Sequence, residues 1–210
     1  MADHIAWDPG AAEVARRLAA HLDAPLVLSG YSRLVIDCNR PLGHAQSIAE
    51  QSAGIPIPGN LGISAAEREM RGAALFQPYH DAIAKLRDER RQQPTLLLSI
   101  HSFTPVLHGQ QRLWQVGISH WRDRRLADGL IRALARDPEL TVGDNAPYPI
   151  EASIDYTVIR CVEDFALPGV MIEIRQDQIR TPAGAARWAA RLAAALRRIE
   201  DQARGLALSG

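Results

Sequence analysis

Residues 95–105, TLLLSIHSFTP, restrict what this chain can fold into more than any other stretch. The run Leu96-Leu97-Leu98-Ser99-Ile100 is almost wholly apolar. Pro94 bounds it on one side and Ser102 through Pro105 on the other. A run of this kind between helical segments is expected for a strand buried on both faces of a parallel sheet. His101 stands where such a strand ends, and open α/β sheets gather ligands at the carboxyl ends of their strands. An imidazole there can hold a metal or move a proton near neutral pH. The structural alternative is a histidine bonded to a backbone carbonyl.

The rest of the chain supplies partners for that strand. Asp8-Pro9 reads as a helix start, with Asp8 as cap, before a helix over 10–22. Residues 25–28 and 33–37 (RLVID) read as strands, and 41–63 as a long loop. Ser64 with Glu67 forms a capping box for a helix to about 91, with a break expected at Gly72 or Pro78. Further strands are expected over 113–118, 140–142 and 169–174. Helices are expected over 124–136, 153–165 and, capped by Thr181, from Pro182 onward. Strands alternating with helices define an α/β class with a largely parallel sheet in a single domain.

Lys+Arg equals Asp+Glu, so the formal net charge is zero. That argues against a nucleic acid or an anionic membrane as partner, since both select a basic excess. Two cysteines, Cys38 and Cys161, without a CxxC pair fit a reducing cytoplasm. No run has membrane-spanning length and no signal peptide opens the sequence. A soluble cytoplasmic protein is expected.

The predicted strand ends carry Asp37, Asn39 and Arg40; His101 and Ser102; Asp144, Asn145 and Tyr148; and Glu173, Arg175, Gln176 and Asp177. In a parallel sheet these would converge on one edge. Glu173 lies inside an apolar strand, where desolvation raises a carboxyl pKa and suits a general base. A salt bridge to Arg175 or Arg40 is its structural alternative. Arg40 and Arg175 can each grip a carboxylate with two hydrogen bonds; their alternative is pairing with Asp37 or Asp177.

The ordered set SRLVIDCNRP, HSFTP, VGDNAPY, DYT and IEIRQD, with HIAWDPGA near the start, resembles the N-formylglutamate amidohydrolase family. The resemblance runs from His4 to about Arg198. It implies a three-layer α/β/α fold with a mostly parallel mixed sheet, like that of zinc carboxypeptidases and aspartoacylases. It implies hydrolysis of the amide of an N-formyl or N-acyl amino acid, a small-molecule substrate such as N-formyl-L-glutamate. His101 would then be a zinc ligand, with His4 and Asp8 as the other N-terminal candidates. Asn39 and Arg40, with Asn145 and Tyr148, would bind substrate. Glu173 would be the catalytic base, and Arg40 with Arg175 would fix the substrate carboxylates and stabilise the oxyanion. Zinc would lower the pKa of its bound water and polarise the carbonyl. The sequence also departs from the family pattern. An earlier strand bearing a first metal ligand is expected before residue 1. Gln115 and Cys161 stand where histidines are expected, and Ala146 where a glutamate is. A degenerate homologue that binds a small carboxylate without turnover is the alternative reading.

Overall fold

The computed structural model describes residues 5–201. Its centre is a four-stranded sheet. Two short hairpins lie outside it. β1 (Gln51–Ser52) pairs with β2 (Ile55–Pro56). β4 (Val106–Leu107) pairs with β5 (Gln110–Gln111). The sheet strands are β3 (Leu97–Phe103), β6 (Val116–Ser119), β7 (Val142–Asp144) and β8 (Gly169–Arg175), in the order β3-β8-β6-β7. The pairs β3–β8 and β6–β7 are parallel, while β8 and β6 are antiparallel. The sheet is therefore mixed and mostly parallel, as expected for the class. Its strand ends, however, do not all converge. β6 and β7 run against β3 and β8, so the carboxyl end of β7, with Asp144 and Asn145, points the other way from that of β8.

Register sorts the side chains. His101 pairs with Glu173, Glu173 with Gly117, and Gly117 with Gly143. Directly opposed residues share a face. One face thus carries a row of imidazole, carboxylate and two positions without side chains. The other face carries Ile100, Ile172 and Ile118, joined by Val116, Val170 and Ile174. Helices α1 (Ala11–Leu22), α4 (Arg125–Leu134) and α6 (Pro182–Arg198) cover that apolar face, with Trp188 of α6 buried in the core. On the row's face lies α5 (Thr157–Glu163), whose Val158 meets Met171 and Ile150. Helices α2 (Ala65–Arg71) and α3 (Gln77–Glu89), joined by a π-helical turn at Gly72–Phe76, lie beyond it, where Phe76 packs with Ile36 and Ile48. None of the described helices is long and apolar enough to cross a membrane.

Several local expectations hold. Ser64 accepts from the Glu67 N–H, and Thr181 from the Gly184 N–H. Others do not. Residues 25–28 and 33–37 are not strands. The RLVID carbonyls are met by side chains instead: Asn60 Nδ2 donates to Leu34 O at 2.8 Å, and Arg71 Nη1 to Val35 O at 3.1 Å. A loop whose carbonyls are satisfied in this way leaves no backbone pairing for a strand to add. Helix α1 is capped by Gly10 at φ 84°, a left-handed conformation that disfavours other residues. Asp8 contributes only its carbonyl there, accepting from Ala11 N at 3.1 Å, which frees its carboxylate.

Candidate active site

The carboxylate of Asp8 turns to His101. Its Oδ2 lies 2.8 Å from His101 Nδ1, and His101 Nε2 lies 3.0 Å from Ser99 Oγ. Burial alone would push the imidazole toward its neutral form. The bond to Asp8, with the charges of Asp8 and Glu173, outweighs burial and raises His101 to about 9. His101 is therefore an imidazolium at neutral pH, donating to Asp8 and to Ser99. Asp8 is also desolvated, yet its bond to His101 holds it below the ordinary aspartate value.

Glu173 stands beside His101 on the next strand and is 5% exposed. Its Oε2 is buried without a hydrogen-bond partner among the described residues. Burial pushes its carboxyl up to about 7, against the lowering pull of His101. A carboxyl poised there is about half ionised at neutral pH, which suits proton transfer in both directions.

These groups line a cavity of about 1300 Å³. Arg33 and Arg40 line it too. Arg33 Nη2 donates to Asp37 at 2.6 Å, and its Nη1 lies 4.0 Å from Asp8. Arg40 Nη1 donates to Asp155 Oδ1 at 2.9 Å and to Asn39 O at 3.0 Å. Tyr148 joins the cavity wall because the chain after β7 folds back over the row. A Cβ on Gly117 would stand 1.9 Å from Ala146 O, and one on Gly143 2.3 Å from it. Only residues without side chains leave room for that crossing. Ser119 Oγ then donates to Tyr148 O at 2.6 Å, and the Tyr148 ring stacks on Arg112.

The structure thus brings together Asp8, Arg40, His101, Tyr148 and Glu173. It separates others. Asn145 does not line the cavity; its Oδ1 accepts from His120 N at 2.8 Å. The antiparallel β8–β6 junction is the reason. Arg175 does not reach the cavity wall, because Asp177 and the carbonyl of Arg112 hold its guanidinium. Asn39 reaches the wall, but its side-chain atoms are engaged. Oδ1 accepts from the N–H groups of Tyr156 and Thr157 at the start of α5, and Nδ2 donates to Asp155. His4 lies outside the described residues. Arg33 and Asp155 were not anticipated as site residues. Arg33 sat in a segment read as an ordinary strand, and Asp155 acts across 115 residues of sequence.

The donor set also bears on zinc. A catalytic zinc takes three protein ligands and an open position. Among the described residues no group of three or more His, Cys, Asp or Glu side chains could hold a metal ion. Both ring nitrogens of His101 are already engaged. The described residues therefore do not complete such a centre, and no metal ligation is assigned to them.

The mixed α/β sheet thus presents the buried carboxyl of Glu173 and the His101 imidazolium, with the guanidiniums of Arg33 and Arg40, to one cavity. Comparison narrows the class. The model of the N-formylglutamate amidohydrolase family matches residues 1–180, and the chain belongs to that family. The crystal structure of gene product Atu2144 from Agrobacterium tumefaciens is 38% identical, with a TM-score of 0.85. The match covers 99% of this chain and 80% of that one. N-formylglutamate amidohydrolase from Ralstonia eutropha JMP134 is 22% identical over 68% of this chain and 56% of its own, with a TM-score of 0.51. At that identity it speaks for the fold. No curated protein matches the chain.

Proposed function

We propose that this protein hydrolyses the amide of an N-formyl or N-acyl amino acid such as N-formyl-L-glutamate, with Glu173 as general base. Family membership supports the reaction class. The observation that carries the assignment of roles is the buried, unpartnered Glu173 Oε2 beside the His101 imidazolium in the wall of the cavity. Glu173 takes a proton from water as the water oxygen attacks the acyl carbon. It then returns that proton to the amide nitrogen as the C–N bond breaks, releasing formate and the free amino acid. The Arg33 guanidinium stabilises negative charge developing on the carbonyl oxygen. Arg40, held at Nη1, offers Nη2 to a substrate carboxylate. His101, fixed by Asp8, keeps positive charge next to Glu173.

The test is formate release from N-formyl-L-glutamate, measured with and without added zinc, in the native protein and in Glu173→Gln. The variant should lose about 10²–10⁴ in kcat with little change in KM. Turnover in the variant within tenfold of native would overturn the role of Glu173. A native protein inert under both conditions, yet binding L-glutamate, would be a carboxylate-binding homologue and not an enzyme.

A further inference from the structure

We infer that Asp155, the acid of the DYT stretch, is the positioning residue for Arg40, and that Asn39 is the strut that holds it. The inference rests on the reading of Arg40 as the group that takes a substrate carboxylate. Three donors converge on the Asp155 carboxylate. Asn39 Nδ2 and Arg40 Nη1 share Oδ1 at 3.0 and 2.9 Å, and Glu151 N reaches Oδ2 at 3.0 Å. Asn39 in turn caps α5 through its Oδ1. The loop over 37–40 is braced from behind by His80, whose Nε2 lies 2.9 Å from Cys38 O. Burial lowers His80 to about 4, so this brace stays neutral across the physiological range.

The consequence falls on one guanidinium. A free arginine side chain loses rotamer freedom when it captures an anion, and that loss weakens binding. Asp155, the Asn39 carbonyl and Gln46 fix Nη1 and Nε of Arg40 beforehand. Nη2 has no protein partner among the described residues. Asp155 also has an opposing effect, because its charge sits near the anion that Arg40 attracts. Positioning and charge predict opposite signs when Asp155 is neutralised.

A double-mutant cycle on the full chain separates them: native, Asp155→Asn, Arg40→Ala and both together. The readouts are KM and kcat for N-formyl-L-glutamate and Kd for L-glutamate by calorimetry. In the native background Asp155→Asn should raise KM and Kd about tenfold and leave kcat within about twofold. In the Arg40→Ala background it should change either by less than about twofold, since its partner is gone. If Arg40→Ala leaves Asp155 stranded and fails to fold, the uncharged Arg40→Gln takes its place. A fall in KM would mean that charge outweighs positioning. An equal effect in both backgrounds would mean that Asp155 acts independently of Arg40. Either result overturns the inference. A native protein that binds L-glutamate with the cycle intact but releases no formate would refute the hydrolase reading alone. Absence of both binding and turnover would remove both.

Discussion

Replacing Glu173 by glutamine should make the protein more stable and less active at the same time. Glu173 is moved from an ordinary value of 4.5 to about 7, chiefly by burial. A tenfold change in proton affinity is about 1.4 kcal/mol, so ionising this carboxyl inside the fold costs roughly 3 kcal/mol. The folded pKa lies above the unfolded one, so the native state holds the extra proton between 4.5 and about 7. Stability from this group is complete below that window and lost as pH rises through it. Glutamine never ionises and escapes the loss. It also removes a negative charge that His101 uses, which offsets part of the gain. The net expectation is about 2 kcal/mol of added stability near pH 8, or roughly 4–8 °C in Tm, and almost none near pH 4.5. Urea unfolding of both proteins at the two pH values, with formate release alongside, measures this. A gain equal at both pH values, or a loss at the higher one, would refute the claim that a desolvated carboxylate is the source.

Asp8→Asn should cost stability in the opposite sense to Glu173→Gln. His101 owes its rise to about 9 to Asp8, and that contribution is present below 6.5 and lost as pH climbs through 9. About 1–2 kcal/mol should therefore be lost near pH 6 and little near pH 10, with the His101 ring signal titrating lower by NMR. Gly117→Ala should destabilise by roughly 3 kcal/mol or more and displace Tyr148, because the new methyl meets a backbone carbonyl. Thermal unfolding and the KM for N-formyl-L-glutamate read the two effects.

Much of this architecture is legible in the chain. The apolar runs ending at His101 and Ile174 are the paired strands β3 and β8, and their pairing puts His101 against Glu173. The caps at Ser64 and Thr181 follow from local chemistry that needs no tertiary context. What stayed hidden depends on distant partners. RLVID has the composition of a strand, but Asn60 and Arg71 take over its carbonyls. Composition cannot tell that β6 runs against β8, so the carboxyl ends of β7 and β8 do not converge. Asp8 looked like a helix cap because its neighbour is Pro9, yet Gly10 takes the cap and His101 takes the carboxylate. Asn39 is engaged by amides more than a hundred positions away.

The pairing of His101 with Glu173 has an evolutionary corollary. Neighbouring positions along a strand project to opposite sides, so inserting or deleting one residue within 97–103 or 169–175 would turn one of the two polar groups into the aliphatic interior. Change in the two long strands must therefore come by replacement and not by a shift in length.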